Sequence, residues 1–371
     1  MDWSKGYSAE YYATIVDPVT WKDVQRIELV GGNIKRTATG LRDAATLDMK
    51  TWTAPIEAYI RIYLDTSQSG SYAHEALFTG LATSPGRKAY ATSEDRSVDC
   101  YSVLKAADDV QLTRGWYALG GQNAGRILIS LLSVVPAPVE ISDNAPMLAS
   151  TIIAEDGETR LSMIEKVLDA IGWRMIIKGD GTICCGPFSD VPVATFDAVE
   201  YDIIEAPLTI KEDWYSCPNV LMAISGDMIG IARDDDQNSP LSTVRRGREV
   251  WKVEKSAALA ANESIAEYAN RALQEAQRIQ QSVSYDRRYV PTVTIGDTVR
   301  LHYPAQDIDN NYVVSSQSIT LGAGGCKTSE EVLANISNKA ETERTVSIYY
   351  LIDDANNEIV TDDGDYIEVI A

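Results

Sequence analysis

The run "IEAYIRIYLDT", residues 56–66, constrains this chain more than any other feature of the sequence. Glu57, Tyr59, Arg61 and Tyr63 fall on one side and Ala58, Ile60, Ile62 and Leu64 on the other. A period of two is that of a β-strand, here with one wet face and one dry face. Further strand candidates recur through residues 1–145 in "VQRIELVGGNI", "EALFTGLATSP" and "VDCYSVLK", with turn residues between them. That spacing predicts a mostly antiparallel barrel or sandwich. Gly31-Gly32 reads as a hairpin turn. "GWYALGGQNAGRILISLL" leads out through a short helix, and the prolines of "VVPAPVEISDNAP" read as a linker.

From residue 150 to about 215 the period changes. Thr159 is placed to cap a helix whose Leu161, Ile164, Leu168 and Ile171 follow steps of three and four, with Gly172 as its stop. "WRMIIKGDGTICCGP" then reads as two strands joined at Asp180-Gly181. Strands resume after Pro218 with "NVLMAISGDMIGIARDDD", a hairpin broken at Gly226-Asp227, and the polar loop "RDDDQNSPLSTVRRGREVW". A long helix is expected from about Ala257 to Ser282, its apolar stripe formed by Ile265, Tyr268, Ala272, Ala276, Ile279 and Val283. "YDRRYVPTVTIGDTVRLHY", residues 285–303, follows as a strand entered through a turn at Gly296-Asp297, and "NNYVVSSQSITL" supplies its neighbour. The tail carries two acidic turns, each followed by a short strand. The reading is a β-rich α+β chain in four segments: a β domain at 1–145, a helix-plus-hairpin module at 146–215, a second β domain with the long helix at 216–340, and a C-terminal β-hairpin extension at 341–371.

The balance of 33 basic to 54 acidic residues, a formal charge of −21, argues against a phosphate-backbone binder, which needs a basic stripe. The opening "MDWSKGYSAEYY" lacks the pattern of a secretion signal, and no run approaches the ~18 apolar residues of a membrane span. Cys100, Cys184, Cys185, Cys217 and Cys326 have neither a disulfide framework's even count nor a zinc site's repeated spacing. "GAGGCKTS", residues 322–329, misses a phosphate loop, because Cys326 and Leu321 stand where its glycines are required. "DIDNNY", residues 307–312, misses a calcium loop, with Tyr312 at the turning glycine and Ser318 at the bidentate glutamate. Asp353-Asp354 and Asp362-Asp363 read as solvated turns. Two histidines, His74 and His302, leave little room for metal or general-base chemistry, and no G-x-S-x-G elbow is present. "RRGR" at 245–248 and Arg287-Arg288 read as loop and interface charges. No catalytic, cofactor or metal residue is assigned.

Taken in order, "DPVTWKDVQRIELVGGNI", "ALFTGLATSPGR", "CYSVLK", "LDAIGWRMIIKGDGTI", "PNVLMAISGD", "RRGREVWKVE", the Ala/Glu/Gln helix and "YVPTVTIGDTVRLHYPAQDIDNNYVVSSQSITLGAGG" resemble the baseplate-hub, or tail-hub, proteins of long-tailed bacteriophages and related contractile injection systems. The resemblance covers about residues 15–325 and rests on element order and turn placement. It implies two tube-like antiparallel β-barrel domains per chain and a homotrimer that presents six similar modules. Such a ring matches a sixfold tail tube above and a threefold spike or fibre below. The implied partners are a tail tube or distal tail protein, a spike, fibre or receptor-binding protein, and a tape-measure protein. DNA passes through the lumen without sequence-specific binding, and the location is the virion's tail tip or baseplate after synthesis in the host cytoplasm. The segment 285–303 is then barrel wall, and the bore is expected to be net negative. A receptor- or carbohydrate-binding tail-tip protein is the alternative. A tail-associated cell-wall hydrolase stands behind it, since no catalytic motif is present.

Overall fold

The alternating run at 58–66 is a strand, and its neighbours build a wide sheet around it. The computed structural model describes residues 3, 5–49, 57–83, 85–89, 94–197, 203–225, 228–255, 264–277, 279–306, 308–322, 325–336, 349–350 and 368–369. The first strands are β1 (Ser8–Val16), β2 (Asp23–Ile27), β3 (Leu29–Thr37), β4 (Asp43–Met49), β5 (Ala58–Gln68), β6 (Ser71–Ala82), β7 (Gly86–Ala89) and β8 (Glu94–Ser102). A mixed stretch follows: α1 (Lys105–Asp108), β9 (Tyr117–Ala118), α2 (Ala124–Leu132), β10 (Val139–Ile141), β11 (Ile152–Ile153), α3 (Arg160–Ile171), β12 (Trp173–Ile177) and β13 (Ile183–Pro187). Next come β14 (Ala194–Asp197), β15 (Ile204–Glu212), β16 (Val220–Ser225), β17 (Met228–Arg233), α4 (Thr243–Arg246), β18 (Trp251–Lys255) and α5 (Ile265–Ala276). The chain returns through β19 (Ile279–Arg288), β20 (Thr298–Tyr303), β21 (Ile308–Gly322) and β22 (Gly325–Ile336).

The main sheet runs β15-β19-β22-β21-β3-β4-β8-β6-β5-β1-β2, with β14 and β20 branching from β21 and β7 from β8. Its seam is the antiparallel pairing of β21 with β3, from Ser316↔Thr37 to Leu321↔Gly32, which joins strands nearly 300 residues apart. β21 can do this because it is 15 residues long. Its first part pairs with β20, and the remainder lies between β22 and β3.

The chain forms two units, Met1–Lys211 with Ser282–Ala334, and Glu212–Gln281 with Asn335–Ala371. In the first, Ile60, Ile62, Leu64, Phe78, Ile34 and Leu47 share one core with Ile319 and Leu321 of the returning chain. Val299, Leu301, Tyr312, Val314 and Val332 form a second core. A third gathers Leu104, Leu128, Leu131, Met163, Ile164, Val167 and Ile183 around the three helices α1 to α3. In the second unit, α5 covers one face of a sheet ordered β17-β16-β18, packing Tyr268, Ala269, Ala272 and Leu273 on Leu221, Ala223 and Ala232.

Several expectations from the sequence match the coordinates. Thr159 caps α3 with a capping box, and Gly172 ends it at φ 63°. Asp180-Gly181 joins β12 to β13, with Gly181 at φ 86°. Gly296, at φ 78°, and Asp297 feed β20. The turn of the 218–235 hairpin, Gly226-Asp227, lies outside the described residues, as does the tail apart from Tyr349–Tyr350 paired with Glu368–Val369.

Three expectations are corrected. Gly31-Gly32 is not a hairpin turn but lies inside β3, beside a register shift at Leu29/Gly31. Neighbouring backbone requires glycine there, since a Cβ on Gly32 would stand 2.7 Å from the Thr46 carbonyl oxygen. The stretch 134–146 is not merely a linker, because Val139–Ile141 pairs parallel with β13. Pro136 and Pro138 precede the strand and cost it no ladder hydrogen bond. The long helix ends at Gln277, and Ile279 and Val283 belong to β19. Beyond Gln277 the sequence alternates instead of stepping by three and four, with Val283, Tyr285, Arg287 and Tyr289 buried in turn.

Arg61, on the nominally wet face of β5, is buried as well. The β12–β13 hairpin covers it: its guanidinium donates to the Asp180 carbonyl (3.0 Å), to Asp23 (3.0 Å) and to Thr79 (3.0 Å). Gly179 makes that docking possible, because a Cβ there would stand 1.7 Å from the Ala76 carbonyl oxygen. Gly179→Ala is therefore expected to lift the hairpin and cost about 1–3 kcal/mol. Thermal unfolding checks this, and a variant melting with the wild type would refute the close approach.

Candidate functional site

The strands β19, β22, β21, β3, β4 and β8 send alternate residues to opposite faces, so one pattern builds both sides of the sheet. The open side carries mostly polar groups in register. Ser329, Ser318, Lys35, Ala44 and Tyr101 form one row, and Lys327, Thr320, Asn33, Thr46 and Asp99 the next. Asn33 donates to Ser318 (2.9 Å) and Thr320 (3.2 Å), and Thr46 donates to Asp99 (2.9 Å). Lys327 bridges Glu205 (2.8 Å) and Asp286 (3.0 Å). Hydrogen bonds from Ser329 and Lys327 hold the Asp286 carboxyl below its usual range, and those to Glu205 and Asp286 raise Lys327. A shallow cleft of about 620 Å³ opens here, lined by Lys35, Glu205, Asp286, Ser318, Lys327 and Glu331 among others. Glu205, Asp286, Glu331, Asp48 and Asp99 against Lys35, Arg288 and Lys327 leave these named residues at −2.

The opposite side of the same strands holds a buried ionic layer. Arg287 grips Glu330 bidentately, Nε to Oε2 and Nη2 to Oε1, both at 2.8 Å, with both side chains fully buried. Tyr285 donates its hydroxyl to Glu330 Oε2 (2.8 Å), and Gln317 donates Nε2 to Glu330 Oε1 (2.6 Å) and to the Val293 carbonyl (3.0 Å). Across the seam, Arg36 donates to Gln317 Oε1 (3.2 Å) and to the Leu77 carbonyl oxygen. Burial works against the Arg287 charge, but the charge and hydrogen bonds of Glu330 outweigh it and raise its pKa. Burial first, then the Glu330 charge, pushes Tyr285 well up. Arg287 was read from sequence as a loop or interface charge; the coordinates correct that, because its partner Glu330 lies 43 residues away and no local pattern announces it.

The other sequence candidates stay apart. His74 lies against Asp65 (2.5 Å) and stacks on Tyr63, whereas His302 lies against Asp309 (3.2 Å). Cys326–Ser329 and Ile308–Tyr312 run in strands, not in the loops that phosphate or calcium would require. Among the described residues no group of His, Cys, Asp and Glu could hold a metal ion. The five thiols are free, and burial raises them all, Cys184 to about 11 and Cys185 and Cys326 to about 12. Thiols of that kind are not activated nucleophiles.

No protein-family model matches the sequence, and none of the curated proteins is similar to it. Solved structures are similar in fold. The 43 kDa tail protein of prophage MuSo2 from Shewanella oneidensis aligns at TM-score 0.61 and 13% identity, over 87% of this chain and 97% of that one. A tail protein from Neisseria meningitidis aligns at TM-score 0.63 and 15% identity, over 89% and 97%. The prophage tail protein gp18 from Listeria monocytogenes aligns at TM-score 0.51 and 11% identity, over 90% and 96%. The chain thus has the fold found in phage and prophage tail proteins, matched over nearly the whole of each.

Two measurements address the buried layer. Glu330→Ala leaves the Arg287 charge unpaired and is expected to cost about 3–5 kcal/mol in denaturant unfolding, with Arg287→Met plus Glu330→Leu recovering much of that. A loss below ~1 kcal/mol would show that the pair does not hold the seam. Asp43, beside Arg36 and Arg42, is pushed up to about 6 by burial. The folded state therefore binds the extra proton between the unfolded value near ~4 and about 6, and stability falls as pH rises through that window. Asp43→Asn is expected to flatten that slope, and an unchanged pH profile would sink the assignment.

Proposed function

We propose that this chain is a structural, non-enzymatic tail-hub protein of a phage tail tip, acting as a homotrimeric ring between a sixfold tail tube and a threefold spike or fibre. The observation that carries the reading is the seam. Strands from the first and later parts of the chain lie side by side in one sheet, so each copy offers two β groups and three copies offer six. On this reading residues 1–145 supply the first tube-like barrel module and 216–340 the second, through β19 to β22. Residues 146–215 stand between them, and 341–371 extend the C-terminus. The fold likeness to tail proteins supports the class, and a closed head-to-tail ring is the symmetry such a part requires. Partners follow from the role: tail tube or distal tail protein on one side, spike, fibre or receptor-binding protein on the other, with the tape-measure protein and then DNA in the bore. Among the described residues no helix is long and apolar enough to cross a membrane.

The hydroxyl-lined, net-negative face is the wall we assign to the bore. Its hydroxyl side chains are short, and its carboxylates repel phosphate without a specific site. The carbohydrate-binding alternative has weaker support. The exposed tyrosine platform on β1, β5 and β6 already has His74 stacked on Tyr63 and Arg26 over Tyr12, so those rings are partly occupied.

Size-exclusion light scattering and negative staining test the ring: a trimer with a central hole is expected, alone or with the tube partner. A chain that stays monomeric beside that partner would refute the reading. Reversing Asp48, Asp99 and Glu331 to Lys takes the named face residues from −2 to +4. The variant is expected to retain duplex DNA on a gel at about 50 mM salt and to release it near 200 mM, whereas the wild type retains none at either. Retention by the wild type would remove the bore assignment.

A further inference from the structure

Six buried side-chain nitrogen and oxygen atoms have no hydrogen-bond partner among the described residues, and two of them, Arg36 Nε and Arg42 Nε, belong to one cavity. This enclosed space of about 10 Å³ lies in the first unit, between the β3–β4 turn, β12 and the turn before β20. Arg36, Arg42, Asp43, Met175 and Thr294 are among the residues that line it. The other nitrogens of both arginines are in use. Arg36 donates Nη1 to Gln317 and Nη2 to the Leu77 carbonyl oxygen; Arg42 donates Nη1 to the Ala38 carbonyl oxygen and holds Nη2 3.6 Å from Glu165. Arg36 is 6% exposed and the Arg42 side chain 10%, so the two Nε–H groups are shut off from bulk water. Arg42 is also held at φ 64°, a left-handed backbone that arginine keeps only where its surroundings impose it. Asp43 pairs in register with Arg36 and is 6% exposed, and no hydrogen bond reaches its carboxyl among the described residues.

A buried cationic donor without an acceptor is costly, and a built cavity that holds two of them calls for a matching acceptor. About 10 Å³ has room for one water-sized particle, which excludes phosphate, sulfate and carboxylates. The species of that size with the complementary charge is a monatomic anion. We propose that the cavity between Arg36 and Arg42 binds one chloride-class ion, and that Asp43 takes up a proton as the ion enters. An ionised Asp43 would face the ion across the same cavity, so the two negative charges exclude each other. Arg36 and Arg42 less an ionised Asp43 give the lining a net charge of +1, and a proton and a halide entering together leave it at +1. Burial already pushes Asp43 up to about 6, against the opposing charges of Arg36 and Arg42. The other titratable groups here come from three elements. On α3, Glu165 lies against Arg42, and the Asp169 charge acts on Arg42 as well. On β13, burial pushes the Cys185 thiol up to about 12, so it is neutral. Between β12 and the turn before β20, Arg174 lies 3.6 Å from Asp297.

Thermal unfolding of the full chain tests this at fixed ionic strength, with sodium chloride compared against sodium gluconate, whose anion is too large for the cavity. The midpoint is expected to be higher in chloride at about pH 5 and nearly equal in the two salts at about pH 8. The apparent chloride affinity is expected to fall about tenfold from about pH 5 to about pH 7, as Asp43 gives up its proton. Arg42→Gly removes one donor and suits φ 64°, so it is expected to fold and to lose the chloride response. Asp43→Asn is neutral throughout and is expected to respond to chloride equally at both ends of that range. Crystals soaked in bromide below the Asp43 titration are expected to show an anomalous peak between Arg36 and Arg42. A wild-type chloride response that is the same at both ends of the pH range, an Arg42→Gly variant that responds like the wild type, or water where bromide is expected would each overturn the proposal. The site lies within one unit, so none of these outcomes bears on the ring.

Discussion

The Arg287–Glu330 pair is the interaction on which the main sheet depends. Each of three strands of the returning chain places buried polar residues between apolar ones on its inner face, with Thr328 beside Glu330 on β22. Tyr285, Arg287 and Tyr289 do so on β19 and the chain just beyond it, Val314, Gln317 and Ile319 on β21, and Val332, Glu330 and Cys326 on β22. The ionic layer therefore divides two hydrophobic cores within one sheet. A one-residue slip of any strand would bury a charge without its partner, which is far costlier than a shifted apolar contact. Arg36 extends the layer across the seam, so the register of β21 on β3 is tied to the same network.

That constraint has a consequence on the other side of the sheet. Strand geometry forces the neighbours of Arg36, Gln317 and Glu330 to face outward, and these are Lys35, Ser316, Ser318, Ser329 and Glu331. The smooth polar face and the rigid buried layer are two readouts of the same alternation.

Much of this was legible in the sequence, and the failures share a cause. The capped helix at Thr159, the Asp180-Gly181 and Gly296-Asp297 turns and the two-faced strand at 58–66 are encoded locally, by propensity and period. Gly31-Gly32 misled because a glycine required by a neighbouring strand looks, in isolation, like a glycine required by a turn. Arg61 and Arg287 misled because arginine is ordinarily a surface residue, and their partners Asp180 and Glu330 lie 119 and 43 residues away. The exposed apolar face of the second unit was equally hidden: "NVLMAISGDMIGIARDDD" reads as a strand pair with apolar residues on both faces, and period alone does not say which face a helix covers.

The sequence by itself determined the capped helix ending at Gly172, the Asp180-Gly181 and Gly296-Asp297 turns, that the chain is β-rich, and that it is acidic, because those properties depend on neighbours within a few residues or on composition. Only the tertiary structure decided that β3 pairs with β21, that Arg287 finds Glu330, and that one sheet face stays open, because each of these depends on long-range partners whose loop-closure cost leaves no trace in local pattern.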